Sequence, residues 1–216
     1  MQIEPFHIAV PDDDIDDLRR RIRATRWAPA SPSPAWQQGV GPAWLRELAD
    51  YWANRFDWRA AEQRLNRLPQ FIADVEGQRV HLVHLVHLVH LVHLVHLVHL
   101  VHRRGVGPAP YPLVVTHGWP GLFVEFEALL ERLCDPAAFG GDPADSFDVV
   151  VPSLPGFAFS QAPARPGMSA FQVADLWVSL MNGLGYQRFG AQGGDLGAGV
   201  SIALAARHPQ VVDGVT

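Results

Sequence analysis

The chain has 216 residues, 48% hydrophobic and 18% charged, the composition of a globular protein with room for one domain, or one domain plus a lobe. A net charge of -5 without a basic patch argues against a nucleic-acid partner, and because all 17 basic residues are arginine, lysine-dependent phosphate loops and Schiff-base chemistry are excluded. The single Cys134, the absence of a signal-peptide pattern in the first 30 residues and the lack of any run of 18 apolar residues lead us to expect a cytoplasmic chain without a membrane span.

In chain order, Pro11-Asp12-Asp13-Asp14-Ile15-Asp16-Asp17-Leu18-Arg19-Arg20-Arg21-Ile22-Arg23 predicts a helix, with acids at its start and arginines at its end complementing the macrodipole. Ile15, Leu18 and Ile22 share one face, and the arginines read as a solvated face rather than an anion site. Residues 27–44 include Trp27, Pro29, Pro32, Pro34, Trp36, Gly39, Gly41, Pro42 and Trp44. Little regular structure is expected there, but the aromatic area is too large to leave in water, so the segment is expected to lie as an arm over another part of the molecule. Helices are expected over 43–54 and 58–68, the second capped by Asp57 and ended by Pro69. Two strand-like runs, 71–75 and one starting at Arg79, flank Glu76-Gly77-Gln78 and give a hairpin signal.

The second of these strands runs into a repeat. His-Leu-Val occurs seven times from His81 to Val101 and is closed by His102. Fully extended, such a run spans about 70 Å, several times an ordinary strand. A period of three matches neither 2.0 nor 3.6, so neither a strand nor an α-helix collects the histidines on one face. A slide of three residues brings back identical side chains on the opposite face and a slide of six restores the face, so register is weakly specified. The run reads as an expansion of a normal strand, with one or two units paired in a sheet and the remainder extended, looped out or helical. Chelation of Zn²⁺ or Ni²⁺ by its imidazoles, and a β-prone interaction segment, are the competing readings.

After a Gly/Pro linker at 105–112, Leu113-Val114-Val115-Thr116 reads as a buried strand ending in His117-Gly118-Trp119-Pro120-Gly121. Backbone N–H groups at such a strand end suit an anionic reaction intermediate. A helix over 123–133 and a loop lead to a second buried strand at 148–152, which runs into Ser153-Leu154-Pro155-Gly156-Phe157. A helix over 170–184, starting near Ser169, leads to a third strand at 189–191, and Val211-Val212-Asp213-Gly214-Val215-Thr216 looks like the start of another. This order predicts a mostly parallel sheet with crossover helices. The third strand stops at Gly193-Gly194-Asp195-Leu196-Gly197-Ala198. A strand turning sharply into a helix needs small neighbours, and it holds one side chain at the helix N-terminus, here Asp195. A carboxylate in that place can attack carbon and form a covalent ester; taken alone, the stretch also fits a βα loop with an N-capping aspartate.

Together with the Trp-rich leader, the three strand-end motifs resemble the epoxide hydrolases of the α/β-hydrolase superfamily, in the branch with an N-terminal meander domain, the microsomal and juvenile-hormone type. The resemblance covers nearly the whole chain apart from the repeat. It implies an incomplete α/β-hydrolase fold without a cap domain. A mainly helical meander would occupy residues 1–70 and the first part of the α/β core residues 71–216, with the repeat at 81–102. It also implies that Asp195 opens a small apolar epoxide to form an alkyl ester, and that water then hydrolyses the ester. The oxyanion of that second step would be held by the backbone N–H groups of Trp119, in the loop His117-Gly118-Trp119-Pro120, and of Leu196. No cofactor or metal is implied. The family usually has tryptophan where Leu196 stands, so one aromatic wall is lost. Its ring-opening tyrosines, acid and base histidine follow the sixth strand and have no counterpart here. His208, about 20 Å from Asp195 at the helical rise, is expected to be a surface residue, and neither His117 nor the repeat histidines are expected to serve as base. Catalytic incompleteness is therefore the expectation, with self-association through the repeat or an open sheet edge. Haloalkane dehalogenation, and a non-catalytic metal-binding or interaction role for the repeat, are the alternatives.

Overall fold

The computed structural model describes residues 2–29, 33–34, 36–37, 39–84, 105–163 and 166–216. They fall into two compact units, Ile8–Arg67 on one side and Met1–His7 with Leu68–Thr216 on the other.

The smaller unit holds α1 (Asp12–Arg23), α2 (Pro42–Asn54) and α3 (Trp58–Leu65). Asp57 caps α3 by accepting the Ala60 N–H at 2.9 Å. The helix stops at Leu65, short of the expected 68. Asn66, next in the chain, uses its carboxamide to accept from the Ile8 N–H and donate to the Ile8 carbonyl, both at 2.9 Å. Nearby, Glu62 accepts the Val10 N–H at 2.9 Å and Arg59 at 2.8 Å. The Val10 N–H, with Arg59 beside it, holds the Glu62 carboxyl below the usual carboxylate range against the opposing effect of desolvation. The tryptophans do not form the covered arm expected from their area. Trp36 is 61% exposed; it meets Trp44 edge-on at 5.6 Å, and the Arg46 guanidinium lies 5.5 Å over Trp27. Ring-on-ring and cation–π contacts shelter them in part, in place of burial.

The larger unit is a seven-stranded sheet in the order β1-β2-β3-β5-β4-β6-β7. Its strands are β1 (Gln2–Phe6), β2 (Gln70–Val75), β3 (Gln78–His84), β4 (Tyr111–Thr116), β5 (Phe147–Pro152), β6 (Phe189–Gly193) and β7 (Val212–Val215). β1 was not anticipated: residues assigned from sequence to the helical leader instead pair antiparallel with β2. β2 and β3 form the expected hairpin. Its turn puts Glu76 at φ 54° and Gly77 at φ 82°, the two positive angles that match the twist of the flanking strands. β3 pairs antiparallel with β5, while β5, β4, β6 and β7 pair parallel, so five of the seven strands run in one sense.

The first repeat unit and His84 are part of β3, in register Leu82↔Pro152, Val83↔Val151 and His84↔Val150. The remaining units, and the expectation about their conformation, lie outside the described residues. His81 is fully buried beneath the rings of Phe6, Phe123 and Phe159. Its Nδ1 meets Ser153 Oγ and its Nε2 meets Gln70 Oε1, each at 2.9 Å. Burial pushes its pKa down to about 3.

Crossovers pass through α4 (Glu127–Cys134), preceded by a 3₁₀ turn at Phe123–Phe126, then α5 (Ala170–Gly183) and α6 (Leu196–Arg207). α5 buries Val173, Ala174, Leu176, Trp177, Leu180 and Met181, the spacing of one helical face. Trp177 sits in the core and donates its indole N–H to Thr116 Oγ1 at 3.1 Å, tying α5 to the end of β4. Among the described residues no helix is long and apolar enough to cross a membrane.

Candidate active site

The end of β6 and the start of α6 come together through glycines. A Cβ on Gly193 would lie 2.4 Å from the Gly197 carbonyl carbon, and one on Gly197 would lie 2.0 Å from the Thr116 carbonyl oxygen. Strand, helix and neighbouring strand therefore meet backbone to backbone. Between these two glycines Asp195 takes φ 54° and ψ -119°, a conformation L-residues other than glycine rarely adopt and one that costs about 1–3 kcal/mol. The bend places Asp195 at the N-cap of α6, with its carboxylate lifted to the tip of the sheet.

Two amides converge on that carboxylate. The Trp119 N–H reaches Asp195 Oδ1 at 2.9 Å and the Leu196 N–H reaches the same oxygen at 2.7 Å. The Trp119 N–H first, and the Leu196 N–H next, hold the Asp195 carboxyl below the usual carboxylate range, with desolvation opposing. Both donors are backbone groups, on residues that are themselves exposed, Trp119 by 69% and Leu196 by 48%. Gly118 lets the loop come this close, since a Cβ there would lie 2.6 Å from the Asp195 Cβ. Above the carboxylate opens a cleft of about 650 Å³, lined by the 117–122 loop, Val124, Glu125, Phe126, Gln192, Gly194 and Asp195.

The structure thus brings Asp195, the Trp119 and Leu196 amides, Gly118 and Pro120 to one place. His117 lines the base of the cleft but is itself buried: it is 1% exposed, with Nδ1 on the Gly118 carbonyl at 3.0 Å and Nε2 on the Leu154 N–H at 3.1 Å. Leu154 belongs to the Pro152–Phe157 motif, which the sequence marked without giving it a task. Gln192 and Glu125 are further lining residues that sequence reasoning passed over; Gln192 Oε1 is buried with no hydrogen-bond partner among the described residues. Glu125 lies in the 3₁₀ turn Phe123–Phe126 that follows the loop.

His208 is less of a surface residue than expected. At the far end of α6 its Nε2 pairs with Asp175 Oδ1 at 2.7 Å, and its side chain is only 19% exposed. His81 has both ring nitrogens committed. Among the described residues no group of three or more His, Cys, Asp or Glu side chains could hold a metal ion.

This geometry can be set beside known proteins. The epoxide hydrolase N-terminus family matches residues 3–126, and the alpha/beta hydrolase fold family matches residues 111–216. A relative from Stigmatella aurantiaca is 41% identical over 213 residues, which is 99% of this chain and 44% of that protein. Epoxide hydrolase 1 of Oryctolagus cuniculus is 33% identical over 213 residues, again 99% of this chain and 44% of its own length. The crystal structure of juvenile hormone epoxide hydrolase from the silkworm Bombyx mori superposes with a TM-score of 0.79 at 29% identity, covering 99% of this chain and 52% of that one. The chain therefore spans about half the length of the relatives it matches. A leader matched by the epoxide hydrolase N-terminus family, joined to an α/β-hydrolase sheet with an aspartate at its elbow, establishes that the chain belongs to the epoxide hydrolase family.

Proposed function

We propose that Asp195 is the nucleophile of an epoxide hydrolase acting on small apolar epoxides. The observation that carries this reading is the sharing of one carboxylate oxygen by two amides. Oδ1 accepts from Trp119 and Leu196, and among the described residues Oδ2 accepts no hydrogen bond, which leaves it as the attacking atom. Attack forms the Oδ2–carbon bond and breaks one epoxide C–O bond. The electron pair passes to the epoxide oxygen, which takes a proton from water and becomes a hydroxyl group. Oδ1 is then the ester carbonyl oxygen, already between the two donors that would stabilise it as an oxyanion when water adds to the ester carbon. Hydrolysis returns the carboxylate and releases a diol. No cofactor takes part.

The second step calls for a general base within hydrogen-bond reach of the attacking water. His117, His81 and His208 are engaged with Leu154 and Gly118, Ser153 and Gln70, and Asp175 respectively. Among the described residues these three supply no such base, and we read the chain as forming the ester and retaining it. Incubation with styrene oxide followed by intact-mass and peptide mapping tests this. The expected result is one styrene oxide adduct per chain, on Asp195, absent from Asp195→Asn. Adducts elsewhere, or none, would defeat the nucleophile assignment, and sustained diol production would defeat the retention of the ester. β7 forms one edge of the sheet among the described residues, and self-association through it is part of the same reading.

A further inference from the structure

We infer that His117 is a positioning residue that fixes the direction of the Trp119 N–H, and with it the oxyanion site. The inference rests on the reading of that N–H as an oxyanion donor. The Leu154 amide, 3.1 Å from Nε2, can only donate, so Nε2 presents its lone pair. The proton of the ring then sits on Nδ1, and the Gly118 carbonyl at 3.0 Å accepts it. That carbonyl and the Trp119 N–H are two ends of a single planar peptide unit, so holding the oxygen sets where the N–H points. It points at Asp195 Oδ1, 2.9 Å away. One run of hydrogen bonds thus leads from the end of β5, through a buried imidazole, to the nucleophile.

The reversed peptide has no comparable support. Turned over, it would aim the Gly118 carbonyl at the Asp195 carboxylate, acceptor against acceptor, and leave the Nδ1–H facing another N–H. Residue 118 itself has no side chain with which to hold the peptide, because a Cβ there would lie 2.6 Å from the Asp195 Cβ. The task falls to residue 117, whose ring is braced by Phe157, edge-on at 5.3 Å. Acceptance by the carbonyl also polarises the amide and strengthens its N–H as a donor.

Two substitutions separate this role from general packing. In His117→Asn the carboxamide nitrogen stands where Nδ1 was and still donates to Gly118. In His117→Gln the carboxamide reaches the Nε2 position, keeping the Leu154 bond and losing the Gly118 bond. Amide hydrogen exchange of Trp119, read by NMR on the unreacted chain with Val114 as a core control, is the measurement. His117→Asn should stay within about twofold of the parent, whereas His117→Gln should exchange about fivefold faster at Trp119, the size of one net hydrogen bond. Equal exchange in the two variants, or no change in His117→Gln, would overturn the inference. Styrene oxide labelling of the same proteins, read by intact mass, follows ester formation separately. If Trp119 exchange behaves as expected and no variant acquires an ester, the nucleophile assignment fails and the positioning role stands.

Discussion

Acidification should weaken this protein through His81, and the size of the effect follows from its surroundings. The imidazole is buried under three phenylalanine rings with both nitrogens hydrogen-bonded, and its pKa is pushed down to about 3. In the unfolded chain the same group titrates near 6.5. Below pH 6.5 the unfolded state binds a proton that the folded state refuses until the pH nears 3, so stability falls as the pH falls across that window. Each pH unit is worth about 1.4 kcal/mol; from pH 7 to pH 5 the loss is about 2 kcal/mol, a large share of a stability of about 5–15 kcal/mol. The comparison is with His81→Phe, which keeps an aromatic ring in the slot and has nothing to protonate. That variant should be the weaker protein at pH 7, by about 0.5–1.5 kcal/mol for each hydrogen bond to Ser153 and Gln70 that is lost. Its pH slope should be shallower than the parent's by the 2 kcal/mol. Urea unfolding of both chains at pH 7, 6 and 5 supplies the four-way difference, in which exposed carboxylates and the other histidines cancel. Parallel pH slopes for parent and variant would refute the argument.

Two further outcomes follow from the elbow. Gly197→Ala should lower stability by more than about 3 kcal/mol or prevent folding, because its methyl would sit against the Thr116 backbone. Gly194→Ala meets nothing within 4 Å and should cost less than about 1 kcal/mol, so similar melting temperatures for the two variants would contradict the packing described. The two amides that keep Asp195 ionised below the ordinary aspartate range also predict that its alkylation by styrene oxide proceeds at a level rate from pH 8 down to pH 5. A rate that halves anywhere in that interval would show that the carboxylate is not held as described.

Much of this architecture can be read from the chain because its parallel strands are short apolar runs and its helices have one-sided faces. Val149, Val150 and Val151 are all buried, as a strand covered on both faces demands. The glycines around Asp195 announce a close approach of backbones before any coordinates are known. β1 is silent for the opposite reason: Gln2–Phe6 is an edge strand without a buried residue, and its proline argues against a strand when read from sequence. The tryptophans mislead because area alone does not say whether a ring is buried or merely shielded by another ring or a guanidinium. The bond between His117 and Leu154 is illegible for a geometric reason. It exists only because β4 and β5 are neighbours in the register Val114↔Val150, which carries residue 117 alongside residues 153 and 154.

The place of His81-Leu82-Val83-His84 in β3 has a consequence for how the gene can change. Any whole triplet removed from or added to the run downstream of His84 leaves the amino acids at these four positions as they are. Such events correspond to nine nucleotides, so slippage during replication keeps the reading frame as well. A change in the number of units therefore leaves the residue types that face Ser153 and Gln70 from β3 as they are.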